Sequence, residues 1–265
     1  MADSLMKSNL IGKKALITGG SRGIGAAIAT ALAGAGASVA IFGRDLESLN
    51  LQKKQLEDFG NPVEAFTCDV LDANQVRESW EKLQNMWGGV DILINNVGGG
   101  GRWGFENILE TPLSTWDEVL RKNLGVAIQL TNLCLPFMKR NGWGRVLTIT
   151  SIYGVGIGGR PWFNVAKVAQ TTFTKSLAKN IAFTRNGVTF NSIAPGAIYI
   201  EKTGWDEMRQ ENPEAFNNFL ESLPLGRMGK PEEVAALALF VCSDQASYLN
   251  GASIVLDGGE SSALS

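Results

Sequence analysis

Short apolar segments alternate with helical segments along almost the whole chain, and this alternation constrains the fold more than any other feature. The apolar runs read as strands, and stretches of helical periodicity separate them. The predicted strands are 14–18, 38–42, 63–68, 90–95, 145–150, 188–193 and 253–256. Because the runs are continuously apolar, helices are expected to cover both faces of the sheet. The sequence therefore predicts an α/β fold, a single doubly wound, Rossmann-type domain over residues 1–265 with about seven parallel strands.

Two long helices and one irregular segment stand out in this pattern. The helices are predicted over 116–138 and 165–183. Residues 197–223 show no strand, carry Trp205 and Phe216, and delay the next core helix at 232–242. A long excursion before a closing helix is typical of an active-site lid. We therefore expect residues 197–223 to form a substrate lid.

Composition excludes several functional classes. The chain of 265 residues contains no histidine, which excludes Ser-His-Asp and Cys-His nucleophile systems and histidine-based zinc sites. Its three cysteines are far apart, without metal-binding spacing, and are expected to be reduced core residues. The net charge of -2, without a long basic run, argues against nucleic acid as a partner. With no apolar stretch long enough for a membrane span and no signal-like start, we expect no membrane partner and a cytoplasmic location.

A glycine-rich turn joins the first strand to the first helix. Glycines at 19, 23 and 25 allow a tight turn, close approach of phosphate to the backbone, and close helix–strand packing. The helix N-terminus that follows offers unpaired N–H groups to a pyrophosphate. A glycine turn in this position, after a strand and before a helix, indicates a dinucleotide site. The candidate cofactor-binding residues here are Thr18, Gly19, Ser21, Arg22, Gly23, Ile24 and Gly25.

The end of the second strand selects between the two nicotinamide dinucleotides. An acidic residue there binds the ribose 2′-hydroxyl and favours NAD. Arg44 is instead placed to hold a 2′-phosphate with both guanidinium N–H groups, and Arg22 in the glycine turn is placed to assist. Asp45, one position later, is the competing ribose ligand. We predict NADP(H) as the preferred cofactor and keep NAD(H) as the alternative.

Further motifs resemble those of the short-chain dehydrogenase/reductase family, in particular its 3-oxoacyl-ACP reductase-like members. The similarity runs from about residue 10 to residue 259, and its motifs include Cys68-Asp69-Val70, Asn95-Asn96-Val97-Gly98, Pro195-Gly196 and Leu256-Asp257-Gly258-Gly259. The resemblance implies further cofactor contacts at Asp69, Val70, Asn95, Val97, Gly98, Lys167, Pro195, Gly196 and Ile198. It also implies a homodimer or homotetramer, with the helices 116–138 and 165–183 as contact faces.

The same resemblance implies a catalytic Tyr four residues before Lys167, with Ser151 orienting the substrate oxygen. It also implies that Asn123 holds a water that relays protons from Lys167. This chain departs from the pattern, because Phe163 stands at the Tyr position and cannot transfer a proton. In a second departure, Ile200 stands where the family usually has a Thr that contacts the nicotinamide amide.

Three interpretations of Phe163 remain open. It is an engineered Tyr→Phe change, a natural divergence compensated by another proton donor, or the mark of a non-catalytic dinucleotide-binding partner or sensor. The replacement donor would be Tyr153, two residues after Ser151, or Lys167 with water. Ile200 and Val97 favour natural divergence over engineering. The leading hypothesis is an NADP(H)-dependent oxidoreductase that interconverts a carbonyl and an alcohol, and a lyase, dehydratase or isomerase on the same fold is a further alternative.

Loops at the carboxyl ends of the strands are expected to form the substrate pocket. Tryptophan suits a sugar face, an aromatic ring or an acyl chain, and arginine suits a carboxylate or phosphate. A small anionic substrate and a neutral one both remain open, and these residues could also pack the lid or a subunit interface. The candidates are Arg102, Trp103, Arg160, Trp162 and Trp205.

Overall fold

A seven-stranded parallel sheet organises the chain in the computed structural model, which describes residues 9–100, 102–105 and 107–262. The strand order is β3-β2-β1-β4-β5-β6-β7, and every neighbouring pair is parallel. This arrangement confirms the predicted doubly wound fold. The strands are β1 (Lys14–Thr18), β2 (Ser38–Gly43), β3 (Val63–Thr67), β4 (Ile92–Asn95), β5 (Gly144–Ile149), β6 (Val188–Pro195) and β7 (Ser253–Leu256).

Helices cover both faces of this sheet. The core on one face contains buried residues of the first, second and tenth helices, and the core on the other face contains residues of the third and fifth. Both cores are built from the apolar strand residues whose side chains alternate between the two faces. The helices are α1 (Gly23–Gly34), α2 (Leu46–Glu57), α3 (Ala73–Trp87), α4 (Leu113–Leu120), α5 (Val126–Asn141), α6 (Pro161–Ala178), α7 (Ile181–Thr184), α8 (Gly204–Glu211), α9 (Pro213–Ser222) and α10 (Pro231–Cys242).

The two long helices differ from their predicted extents. The helix predicted over 116–138 begins at Leu113 and is interrupted by a π-helical turn, Arg121–Gly125, between α4 and α5. The helix predicted over 165–183 begins at Pro161 and ends at Ala178. Proline suits the first helical position because its missing N–H has no intrahelical partner there. The strand predictions were accurate to within one or two residues at each end.

The segment 197–223 contains two helices, α8 and α9, and no strand. Phe216 and Leu223 are buried together with Met228 in a small separate core, against which the partly buried Tyr199 and Trp205 pack. The base of the segment is fixed to the body by a bridge in which Tyr199 N donates to the carbonyl of Gly229 at 2.9 Å. The segment is therefore an ordered helical cap with its own apolar contacts.

The three cysteines, Cys68, Cys134 and Cys242, are free and buried, which confirms their prediction as core residues. Burial raises the pKa of each thiol. Among the residues that the structure describes, no helix combines the length and the apolar character needed to cross a bilayer.

Candidate active site

A cleft of about 700 Å³ lies where the strand order reverses, between β1 and β4. In open parallel sheets this reversal opens a crevice at the carboxyl ends of the strands. The cleft runs from Arg44 and Asp69 at one end to Ser151, Lys167 and Trp205 at the other. Most predicted cofactor residues line it: Gly19, Ser21, Arg22, Gly23, Ile24, Arg44, Asp69, Val70, Val97, Gly98, Lys167, Pro195, Gly196 and Ile198.

The glycine turn is packed so closely that a side chain is excluded at Gly25 and crowded at Gly23. A Cβ on Gly25 would overlap the carbonyl oxygen of Gly19, and a Cβ on Gly23 would lie 3.0 Å from Ile200 Cδ1. The helix that follows, α1, has no side-chain cap and no acidic residue in its first turn. Its first N–H groups therefore remain available to an anion, as a pyrophosphate site requires.

Two asparagines at the end of β4 have different roles. Asn96 Nδ2 donates to the carbonyl of Thr18 at 2.9 Å, and Asn96 N donates to Thr18 Oγ1 at 2.9 Å, which ties the glycine turn to β4. Asn95 faces the core instead and donates to Thr131 Oγ1 at 3.1 Å. Asn96, absent from the predicted site, lines the cleft, whereas the predicted Asn95 and Thr18 support it from below.

Charged side chains surround the far end of the cleft. Asp45 caps α2, where its Oδ1 accepts from Ser48 N at 2.8 Å, and the hydrogen bonds from Ser48 lower its pKa. Arg44 is exposed beside it. Lys122, which the sequence reading missed, also lines the cleft, and burial together with the charge of Arg44 lowers its pKa. Three cationic side chains therefore line this end of the cleft, against two carboxylates: Arg22, Arg44 and Lys122 against Asp45 and Asp69.

The opposite end of the cleft holds Ser151, Phe163 and Lys167. Phe163 and Lys167 lie one helical turn apart on α6, and Lys167 Nζ is 5.6 Å from the centre of the Phe163 ring. Ser151 lies two residues after the end of β5, and its Oγ accepts from Tyr153 N at 3.2 Å. The predicted Ser and Lys are therefore brought together, with an aromatic ring where the family's phenol would be.

Asn123 supports this end without lining the cleft. Its side chain is 0% exposed, and its amide pairs with the backbone of Gly99, donating to the carbonyl at 2.8 Å and accepting from the N–H at 3.2 Å. A Cβ on Gly98 would lie 2.7 Å from Asn123 Oδ1 and 2.9 Å from Lys167 Nζ. Asn123 therefore fixes the 98–99 segment against the lysine.

Lys167 is buried without a charged partner. Its Nζ donates to the carbonyl of Ile149 at 3.3 Å and to Gln170 Oε1 at 3.0 Å. Burial, which disfavours the charged amine, lowers its pKa to about 7. An amine with this pKa gains and loses a proton near neutral pH, which is the property that a general acid or base needs.

Tyr153 lies behind the cleft wall. Its ring packs edge-on against Phe163, with centroids 6.4 Å apart, and covers the backbone of Gly158 and Gly159. It is not among the residues that line the cleft. Of the two candidate donors, Lys167 lines the cleft and Tyr153 does not.

The predicted substrate residues separate into different environments. Trp205 lines the cleft and stacks on Phe219, with centroids 4.7 Å apart, and the Arg102 guanidinium lies 5.5 Å above the Trp205 ring. Arg160 donates to the carbonyls of Arg102, Trp103 and Gly104 at 2.7–2.8 Å, so it fixes that loop.

The two remaining tryptophans lie outside the cleft. Trp162 is 0% exposed beside Val119 and Ala166, because α6 turns this position towards the core. Trp103 is partly buried, and Lys122 Nζ lies 4.2 Å above its ring.

Residues after β6 complete the cleft. Ile200 lines it together with Thr203, whose hydroxyl donates to the carbonyl of Ile200 at 2.6 Å. Glu260 Oε2 accepts from Ala197 N at 2.6 Å and holds the turn that follows Gly196. Thr203 and Glu260 were missed from the sequence because neither belongs to a recognised spacing.

Comparison with known proteins decides the family. Residues 19–261 match the family model described as Enoyl-(Acyl carrier protein) reductase. The 3-oxoacyl-[acyl-carrier-protein] reductase FabG of Aquifex aeolicus (strain VF5) is 37% identical over 258 residues, which are 96% of this chain and 99% of that protein. The chain belongs to the short-chain dehydrogenase/reductase family. It is an NAD(P)-dependent dehydrogenase or reductase.

Solved structures of the family share the whole fold. L-sorbose reductase from Gluconobacter frateurii, complexed with NADPH and L-sorbose, superposes with a TM-score of 0.89 at 31% identity, covering 98% of this chain and 100% of that one. A 7α-hydroxysteroid dehydrogenase complexed with NADH and 7-oxo glycochenodeoxycholic acid has a TM-score of 0.85 at 31% identity and covers 98% and 97%. The closely packed glycines of the turn and the uncapped α1 fit a nicotinamide dinucleotide in this chain.

Proposed function

We propose that this protein is an NADP(H)-dependent oxidoreductase that interconverts a carbonyl and an alcohol, with Lys167 in place of tyrosine as the proton donor. The observation that carries this proposal is the buried Lys167 amine, which lines the same cleft end as Ser151 and has a pKa of about 7. Phe163 lies at the position of the family's phenol, and Tyr153 is outside the cleft lining.

The chain's own residues supply the proton chemistry. The bound nicotinamide supplies or accepts a hydride at the substrate carbon. In the reducing direction Ser151 donates a hydrogen bond to the substrate oxygen, and the Lys167 ammonium gives that oxygen a proton, so that an N–H bond breaks and an O–H bond forms. The neutral amine then takes a proton from solvent through the cleft. In the oxidising direction the neutral amine accepts the alcohol proton.

The charges near Arg44 support NADP(H) over NAD(H). Asp45, the competing ribose ligand, is engaged by Ser48 at the start of α2. Arg44 and Lys122 both line the cleft, and their mutual repulsion favours an anion between them. A 2′-phosphate supplies such an anion, whereas a ribose hydroxyl does not.

We further propose a small carbonyl substrate covered by residues 197–223 acting as a lid. Trp205 and Thr203 bring this segment into the cleft wall. Because Arg160 is engaged by three backbone carbonyls, Arg102 is the better candidate to bind an anionic group. L-sorbose, reduced by a structural neighbour, represents the neutral alternative, and a 3-oxoacyl thioester represents the Aquifex relative's class.

A second candidate function is favoured by Phe163 itself. A chain that binds a dinucleotide and lacks the phenol is also what a non-catalytic binding protein would present. Such a protein would retain the glycine turn and the Arg44 region, both intact here, without needing an acid at Lys167.

The discriminating experiment measures NADPH oxidation with L-sorbose, a 3-oxoacyl thioester and a keto acid, and NADPH affinity by fluorescence. Three proteins are compared: the native chain, Lys167→Met and Phe163→Tyr. The proposal predicts turnover by the native chain and a loss of about 10²–10⁴-fold in Lys167→Met, the usual contribution of a general acid. Activity only in Phe163→Tyr would show that the chain as given lacks a proton donor, through natural loss or through an engineered Tyr→Phe change. Tight NADPH binding without turnover in any of them would favour the binding protein.

We also propose a homodimer or homotetramer in a reducing compartment such as the cytoplasm. An apolar groove of about 570 Å³ lies between α5 and α6 and is lined by Ile128, Val165 and Val168 among others. Val165 and Val168 are exposed in the described chain. Light scattering of Val168→Arg, with the exposed Lys179→Glu as control, should show a smaller species if this groove is the interface.

A further inference from the structure

A buried glutamine links Lys167 to the backbone of Asn123. The Gln170 side chain is 0% exposed, and both ends of its amide are used. Its Oε1 accepts from Lys167 Nζ at 3.0 Å, and its Nε2 donates to the carbonyl oxygen of Asn123 at 3.0 Å. One side chain therefore joins α6 to the π-helical turn, a distortion frequent at functional sites.

The chemistry of the neighbouring groups fixes the direction of this amide. A lysine ammonium offers only donors, and a backbone carbonyl offers only an acceptor. The amide oxygen must therefore face Lys167 and the amide nitrogen must face Asn123. The opposite orientation would leave two buried polar groups unsatisfied, at a cost greater than the hydrogen bonds themselves contribute.

The family resemblance implies a water held at Asn123 that relays protons from Lys167, but here the amide engages both partners directly. We propose that Gln170 is a positioning residue that takes the place of this relay water: it fixes the Lys167 amine from behind and leaves the remaining position on the nitrogen to the cleft. The proposal rests on the proposed role of Lys167 as proton donor.

This arrangement changes the route that a proton takes. Water passes a proton on readily, whereas a carboxamide does not, because its nitrogen is not basic. Lys167 therefore exchanges protons through the cleft and not through Asn123. Gln170 and Phe163 act on opposite sides of the same amine: one replaces the water behind it and the other replaces the phenol in front of it.

The surroundings of Lys167 allow this role to be tested by titration. The groups that face its Nζ are the Ile149 carbonyl from β5, Gln170 and the Phe163 ring from α6, and the segment at Gly98 held by Asn123. None of these groups ionises. Lys122, on the π-helical turn, lies on the far side of Gly99, and no charged side chain contributes to the lowered pKa of Lys167.

The test is NMR titration of protein carrying lysine labelled with ¹³C at Cε, with the Lys167 signal assigned from Lys167→Arg. Gln170→Leu removes the acceptor that stabilises the ammonium and should lower the Lys167 pKa by about one pH unit. Gln170→Glu places a carboxylate there and should raise it by about 1–3 pH units. Thr174→Val, one turn further along α6 and also buried, is the control and should leave the pKa unchanged.

Equal Lys167 pKa values in native protein and Gln170→Glu, with the melting temperature retained, would overturn the positioning role. Because Gln170→Leu could fail to fold, Gln170→Glu alone suffices for this decision. Kinetics give a second readout: Gln170→Leu should lower kcat about tenfold or more with the carbonyl KM within about twofold. A KM change without a kcat change would contradict the proposal. If the native protein is inactive but the Lys167 pKa shifts as expected in the Gln170 variants, the proposed reductase function is overturned. The positioning of the Lys167 amine by Gln170 would still be supported.

Discussion

The two ends of the cleft are built on different principles. At the cofactor end the glycine turn offers mainly backbone: N–H groups of α1, and positions 19, 23 and 25 where side chains are crowded out. At the catalytic end the important groups are side chains, Ser151, Phe163 and Lys167, held by further side chains behind them. Backbone geometry tolerates few substitutions, whereas a side-chain constellation can change one member and be compensated by another. The departure at Phe163 lies at the end where such exchange is possible.

The largest expected effect on cofactor binding comes from filling the glycine turn with a side chain. Gly25→Ala places a Cβ against the Gly19 carbonyl and the Asn96 amide, so either the turn or α1 must shift. NADPH affinity measured by fluorescence titration should fall about 100-fold, because the phosphate-binding backbone no longer keeps its geometry. Gly34→Ala at the other end of α1 is the matched control, since its Cβ would meet only the side chain of Phe59 at 3.3 Å. An affinity within threefold of native in Gly25→Ala would show that the turn adapts.

The difference between the ends also explains what the sequence could predict. The seven strands, the glycine turn and the location of the cleft at the carboxyl ends of the strands follow from apolar runs and glycine spacing, which act through the backbone. Asn95 and Asn96 were harder, because which of two neighbouring residues faces the turn depends on the end of β4. The spacing of residues in the sequence does not show at which residue β4 ends, and so does not show which asparagine faces the turn.

The residues of the catalytic end could be predicted from the sequence, but the buried side chains that hold them in place could not. Trp162, Ala166 and Gln170 share the buried face of α6, while Phe163 and Lys167 share the face towards the cleft. A helix predicted from Pro161 would have placed these residues on the correct faces, whereas the helix predicted from residue 165 left Trp162 and Phe163 outside it. Gln170 still carried no signal, because a buried and an exposed glutamine look alike in one sequence.

A pH profile tests whether the catalytic end has changed its acid. Reduction needs the Lys167 ammonium, which exists below its pKa of about 7, so the native rate should fall as pH rises through 7. The fall is about tenfold per pH unit above the pKa, and oxidation should rise over the same range. In Phe163→Tyr a phenol, with an ordinary pKa of about 10, becomes the acid, and the falling limb should move up by at least about one pH unit. If the falling limbs of the native and Phe163→Tyr profiles coincide, Lys167 is not the proton donor of the native protein.

A charge substitution gives a smaller effect confined to the cofactor end. Arg44→Ala removes a guanidinium from the cleft lining and should weaken NADPH binding about 10–100-fold, the usual range for a hydrogen-bonded charged group. NADH affinity should change less than about threefold, because it carries no 2′-phosphate. Arg140→Ala, exposed at the end of α5, is the control. If both cofactors weaken equally, Arg44 serves the adenine or pyrophosphate and does not select the phosphate.

The smallest expected effect is the most informative about the catalytic end. Tyr153→Phe removes one hydroxyl from a ring that packs on Phe163, Gly158 and Gly159 and lies outside the cleft lining. Phenylalanine keeps those contacts, so kcat and the pH profile should stay within about twofold of native while Lys167→Met is severely impaired. A loss of tenfold or more would instead assign the acid to Tyr153, since no packing change accompanies the substitution. The two variants together decide whether Tyr153 or Lys167 is the proton donor of this chain.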